Sequence, residues 1–127
     1  MRVLIVDDSR IIRNGLKNIF LFLGHNVVGE AVTGFEAINM YKNLLPDLVT
    51  MDISMPMRQG IKDGVVALEE ILVVDNDAKV IMVTSHGEED LVVDSIKLGA
   101  KGYILKPITE EKVINSIEKI FPDGWMN

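Results

Sequence analysis

The chain reads as an α/β protein: one sheet of five parallel strands with helices on both faces. Two observations predict this. Short, unbroken apolar runs recur along the chain, and unbroken rather than alternating apolarity marks strands covered on both sides. Between each run and the next lies a stretch with apolar residues at helical spacing, so the order is βαβαβαβαβα, which implies right-handed crossovers.

The first strand is Val3 to Val6. It is followed by a helix carrying Ile12, Leu16, Ile19 and Leu23, with Asp8 or Ser9 as N-cap and Gly24 as stop. Val27-Val28 is the second strand, weaker and interrupted by Gly29. Ile38, Tyr41 and Leu45 mark the second helix, closed by Pro46. Leu48 to Met51 is the third strand, and Val65, Leu68 and Leu72 are the third helix. Val80 to Val83 is the fourth strand, with Val92, Ile96 and Gly99 marking the helix after it. Tyr103 to Leu105 is the fifth strand. The last helix starts near Thr109 with acids in its first turn, carries Val113, Ile117 and Ile120, and ends at Pro122.

With 127 residues the chain suits one domain, spanning residues 1–127, and one core. Apolar residues at 48% and charged residues at 25% are an ordinary globular balance and exclude disorder. A formal charge of −6 offers no basic footprint for nucleic acid, so no direct nucleic-acid partner is expected. The absence of cysteine removes disulfides, thiolate metal sites and a cysteine nucleophile. The opening apolar run is too short for a signal peptide, and no run approaches the ~20 residues of a membrane span. The cytoplasm is the expected compartment.

In open parallel sheets, sites form at the carboxyl ends of the strands. Here the first strand ends in Asp7-Asp8, the third in Asp52, the fourth in Thr84-Ser85 and the fifth in Lys106-Pro107. Three carboxylates, a hydroxyl and an ammonium, all distant in sequence, should therefore meet at one edge. Three carboxylates in one crevice repel, and a hard divalent cation with oxygen ligands relieves them; Mg²⁺, which keeps several waters, suits an open carboxylate site. Such an ion can bridge a carboxylate and an incoming phosphoryl group. Aspartate is a known phosphoryl acceptor, lysine pairs with phosphoryl oxygens, and a threonine hydroxyl adds a hydrogen bond. Taken singly, Asp7-Asp8 is a capping loop as often as a metal site, Asp52 a turn residue, Thr84 a strand residue, Lys106 a surface lysine and Tyr103 a half-buried aromatic. Their joint placement is what points to phosphoryl chemistry.

These residues, with their neighbours, resemble the receiver domain of two-component response regulators. The similarity rests on Val3 to Ser9, Asp47 to Pro56, Val83-Thr84-Ser85 and Gly99 to Pro107, and covers essentially the whole chain. It implies a flavodoxin-like doubly wound (βα)5 fold with strand order 2-1-3-4-5. It implies that Asp52 accepts phosphate from a histidine kinase or phosphotransfer protein, and that the domain catalyses only that transfer and its own dephosphorylation. Asp8 would bind Mg²⁺ directly, Asp7 largely through water, and the Ser54 backbone carbonyl would complete the ligands with Asp52. Thr84 would move toward the phosphoryl group and Tyr103 turn inward, remodelling the surface of the fourth helix, fifth strand and fifth helix, where a downstream protein binds. The Lys106-Pro107 bond would be cis. Ser54 and His86 fall at positions that tune hydrolysis in the family.

One departure stands out. Six residues, Met57 to Lys62, separate Pro56 from Asp63-Gly64, where the family spacing is two, so this loop is four residues longer. Carrying Arg58 and Lys62 beside the acceptor, it would alter donor access or phosphoryl lifetime, or be a tolerated surface insertion. Two rival functions share parts of the pattern. A flavin-binding electron carrier has the same fold, but Asp7-Asp8 would repel its cofactor phosphate. A small-molecule phosphohydrolase wants a second acid two residues past its nucleophile, where this chain has Ser54. As for output, the ending at Phe121 to Asn127 without a linker favours a single-domain, chemotaxis-type regulator over a receiver cut from a DNA-binding protein. Trp125 is either a partner contact or packed on the last helix.

Overall fold

A computed structural model describes residues 1–55 and 64–123. Ten elements alternate as expected: β1 (Arg2–Val6), α1 (Arg10–Phe22), β2 (Asn26–Ala31), α2 (Gly34–Leu44), β3 (Leu48–Asp52), α3 (Gly64–Val74), β4 (Val80–Thr84), α4 (Glu89–Leu98), β5 (Gly102–Leu105) and α5 (Glu110–Ile120). The five strands are parallel and ordered β2-β1-β3-β4-β5. This is the flavodoxin-like doubly wound architecture.

Alternate residues of the inner strands supply two cores because successive side chains leave a strand on opposite faces. Leu4, Val6, Val49, Met51, Val80 and Met82 pack with Ala37, Tyr41, Leu68 and Ile71 of α2 and α3. Val3, Ile5, Leu48, Ile81 and Ile104 pack on the other face with Leu16 and Phe20 of α1 and Val113 and Ile117 of α5. Each such large side chain, fully buried, contributes about 1.5–3 kcal/mol. Covered on both faces, β1, β3 and β4 hold their carboxyl ends in a fixed register.

Three helices begin where a hydroxyl closes the first turn. Ser9, Thr33 and Thr109 accept hydrogen bonds from the backbone N–H of Ile12, Glu36 and Lys112 at 3.4, 3.1 and 3.2 Å. Glu36 reaches back to the N–H of Val32 at 2.9 Å, so the start of α2 is tied in both directions. Thr33→Ala is expected to cost about 1 kcal/mol in urea unfolding; an unchanged midpoint would remove the cap from the stability of α2. Gly24, the expected stop of α1, has φ +89°, a conformation glycine adopts without a Cβ penalty.

Three expectations change. β2 does not break at Gly29: it runs on to Ala31, with a register shift that leaves Val28 as an extra residue opposite Val3 and Leu4. A Cβ on Gly29 would lie 3.0 Å from Leu44 and 3.2 Å from Leu4, so glycine there makes room for packing rather than ending the strand. α2 ends at Leu44, and Leu45 sits outside it at φ 44°, its side chain exposed. The residue before proline is disfavoured in helical conformation, which moves the helix end one step upstream of Leu45. In α4 the fully buried residue is Ser95, whose hydroxyl donates to the Leu91 carbonyl at 2.7 Å, whereas Ile96 of the expected apolar stripe is exposed. The Lys106-Pro107 bond is cis, as the resemblance implied. Among the described residues no helix is long and apolar enough to cross a membrane.

Candidate functional site

The carboxyl ends of β1, β3, β4 and β5 bring the predicted side chains together. One oxygen each of Asp7, Asp8 and Asp52 lies within 4.8 Å of the others. Asp7 and Asp52 are buried, while Asp8 faces solvent. Lys106 reaches across from the end of β5, its Nζ 3.5 Å from Asp7 Oδ2 and 3.6 Å from Asp52 Oδ1. The backbone carries this convergence: Asp52 pairs with Val83 in register, and the Lys106 N–H donates to the Thr84 carbonyl at 2.8 Å.

Asp7 is held from three sides. Its N–H donates to Ala31 O at 3.0 Å, its Oδ1 accepts from the Ser9 N–H at 2.9 Å, and its carbonyl accepts from Arg13 Nη1 at 2.9 Å. Arg13 is itself paired with Glu30 at 3.3 Å. The other carboxylate oxygen of Asp7 is buried and makes no hydrogen bond among the described residues. Burial is the main reason the Asp7 carboxyl is pushed above its usual range; the Ser9 N–H and Lys106 oppose the shift, and Asp8 adds to it. Asp52 is pushed up to about 7 by burial first and by the Asp7 charge second, against the pull of Lys106. Lys106 is the one ammonium ion-paired with Asp7 and Asp52 among the described residues, and Asp7 Oδ2, which faces it at 3.5 Å, has no hydrogen bond besides. A hard divalent cation fits this donor set.

Residues 3–118 match the response regulator receiver domain. The chain belongs to the response-regulator receiver family. It is 44% identical to the chemotaxis protein CheY of Thermotoga maritima, across 94% of this chain and 96% of that protein. It is 43% identical to CheY of Bacillus subtilis, across 93% and 95%. The CheY of the Borrelia burgdorferi CheX-CheY-BeF3-Mg+2 complex superposes with a TM-score of 0.88 at 40% identity, covering 95% of this chain and 89% of that one. Receivers of this kind are two-component signalling proteins, and these relatives are chemotaxis proteins.

Other features of the receiver lie around the carboxylates. Thr84 is buried at the last position of β4. Ser54, two residues past Asp52, and Ser85 are exposed beside it. Tyr103 is 54% exposed on β5 and lines an open groove of about 480 Å³ with Ser85, His86, Val92, Ile96 and Leu105. Exposed Val93 and Ile96 make the α4 side of that groove apolar. His86 is in this groove wall and is not one of the three clustered acids. The longer loop with Arg58 and Lys62, and Trp125, lie outside the described residues.

Sequence reading missed Glu88. Its carboxylate accepts from the Ser85 N–H at 2.6 Å, from the Thr84 hydroxyl at 3.1 Å and, through its other oxygen, from the Ser54 hydroxyl. Burial opposes its ionisation, but the bonds from Ser54, Ser85 and Thr84, with the charge of Lys106, outweigh that and hold the carboxyl below its usual range. The available signal was a glutamate at an N-cap position, where serine, threonine, aspartate or asparagine is the rule. It stands in the acidic run Glu88-Glu89-Asp90, where apolar spacing does not single it out.

Proposed function

We propose that the chain is a phosphorylation-activated switch, in which Asp52 accepts a phosphoryl group from the phosphohistidine of a histidine kinase or phosphotransfer protein. The observation that carries this reading is the buried Asp52 carboxylate with the Lys106 ammonium 3.6 Å from Oδ1 and two further carboxylates beside it. Asp7, Asp8 and Asp52, with the backbone carbonyl of Ser54, would hold Mg²⁺. When bound, the ion neutralises these carboxylates and the negative charge that builds on the phosphoryl oxygens.

An Asp52 carboxylate oxygen attacks phosphorus in line with the bond to the donor nitrogen. That P–N bond breaks, and the histidine leaves with the electron pair and takes up a proton. Lys106 shifts from pairing with Asp52 to pairing with a phosphoryl oxygen, as a point charge on a flexible stem. The Thr84 hydroxyl donates to another of these oxygens. Attack of water on the acyl phosphate returns Asp52 and inorganic phosphate. The domain thus serves its own phosphorylation and dephosphorylation and turns over no other substrate. Thr84 and Tyr103 act as the switch pair, and output passes through the α4-β5-α5 surface to a downstream protein. The apolar groove beside exposed Tyr103 and the chemotaxis-type relatives support that output, and the cytoplasm as its setting.

Incubation with a small acyl phosphate and Mg²⁺ should add one phosphoryl mass to the parent and none to Asp52→Asn, measured on the intact protein. Chelation of the ion should prevent the gain. An equal adduct on the variant would remove Asp52 from the central role.

A further inference from the structure

Glu88 stands at the N-cap of α4, yet its side chain makes no hydrogen bond to its own helix. It turns back toward the strand ends instead. The Thr84 hydroxyl has one proton to give and two acceptors within reach, Glu88 Oε1 at 3.1 Å and the Ser85 carbonyl at 3.3 Å. The nearer and charged acceptor is the stronger. Ser54 donates to Glu88 Oε2, so hydroxyls from both sides of Asp52 are joined through one carboxylate. Lys106 also acts on Glu88 through its charge while its Nζ sits 3.6 Å from Asp52 Oδ1.

Two hydroxyls, one backbone N–H and an ammonium are the donors an anionic group on Asp52 would need. In this arrangement an anion belonging to the chain already holds the hydroxyls and the N–H. We propose that Glu88 is a positioning residue for phosphoryl transfer: it ties Thr84 and Ser54 to the start of α4 in the unphosphorylated receiver and must release both before Thr84 can serve the phosphoryl group. The proposal rests on Asp52 being the acceptor.

The restraint itself is open to measurement without any phosphodonor. Three-bond couplings to the Thr84 methyl carbon report its rotamer. The parent should show one rotamer, and Glu88→Ala an average over several. Identical couplings in the two proteins overturn the proposal. The second measurement is the rate of adduct formation with a small acyl phosphate and Mg²⁺. Glu88→Ala should react at least about threefold faster than the parent, since releasing a charge-assisted hydrogen bond is worth on the order of tenfold. Introducing Thr84→Val into both proteins should abolish that difference, because coupled residues are not additive. An acceleration that persists undiminished in the Thr84→Val background, or no acceleration at all, overturns the role assigned to Glu88. Should Glu88→Ala unfold, Glu88→Gln keeps the shape, and a smaller change in the same direction is expected; no change in couplings or rate overturns it. If the Thr84 rotamer averages in Glu88→Ala but not in the parent, and neither protein ever gains an adduct, the acceptor reading falls and the restraint stands.

Discussion

Asp52→Asn is expected to melt higher than the parent in metal-free buffer at pH 8, and to melt within a degree or two of it near pH 4. The direction follows from the Asp52 carboxyl, which titrates near 3.8 when unperturbed and is pushed up to about 7 in the fold by burial and by Asp7. Below the unfolded value both states hold the proton, so the group costs nothing. As pH rises from about 4 to about 7, the unfolded chain has lost its proton while the folded chain still keeps one. Stability therefore falls across that window and levels out above it. A gap of roughly three pKa units corresponds to about 4 kcal/mol, or on the order of 10 °C in Tm for a domain of this size. Part of this is offset in the variant, where the neutral amide leaves Lys106 with Asp7 as its buried counter-charge. Mg²⁺ should raise the Tm of the parent more than that of Asp52→Asn, because a ligand that binds only the folded state stabilises it by mass action. Thermal scans from pH 4 to pH 8 with and without the ion test this. A parent whose Tm relative to the variant does not change with pH would show that no carboxyl at this position is forced to hold its proton.

Gly64→Ala should lose stability and phosphoryl acceptance together. Gly64 starts α3 against the end of β3, its N–H donating to the Ile53 carbonyl at 2.7 Å. A Cβ there would run into the Asp52 carbonyl oxygen and lie 2.9 Å from the Asp52 carbonyl carbon and 3.1 Å from Ile53 Cα. These are backbone atoms of the acceptor strand, and they yield only if Asp52 itself shifts. Overpacking of this kind costs about 1–3 kcal/mol, more where backbone must move. Gly15 is the matched control. It lies inside α1 with nothing within 4 Å of an added Cβ. Gly15→Ala should therefore stabilise by about 0.5–1 kcal/mol, from reduced freedom in the unfolded chain and better helix propensity. Urea unfolding of the two variants, with adduct formation as the second readout, separates close approach from propensity. A Gly64→Ala protein as stable and as reactive as the parent would contradict the contact.

The acidic edge was legible before any coordinates because parallel topology leaves little choice. Once Val3–Val6, Leu48–Met51, Val80–Val83 and Tyr103–Leu105 are strands joined by helical crossovers, their carboxyl ends face one way. The acids at 7, 8 and 52 and Lys106 then gather there, while Thr84, at the end of β4, gives its hydroxyl to Glu88. Local chemistry was equally readable in Thr109, where a hydroxyl three residues before a free N–H can close a first turn, whereas the choice of Ser9 over Asp8 at the start of α1 came from the structure. Leu45 keeps helical spacing, but the proline after it, not the spacing, decides where α2 ends.

Apolar spacing along the chain was enough to determine a parallel sheet with helices on both faces, since unbroken apolar runs call for burial on two sides, and the acids that follow those runs then fall at the strand ends. Other features depended on distances between segments remote in sequence. Why Gly29 is glycine became clear only from Leu4 and Leu44 packing against it; that Ile96 and Tyr103 border an open groove, only from the seating of α4 on Ser95. That Glu88 faces Ser54 and Thr84 rather than its own helix was decided in the same way. A side chain's partner is chosen by whichever donors the assembled fold brings within three ångströms, and no periodicity along the chain encodes that choice.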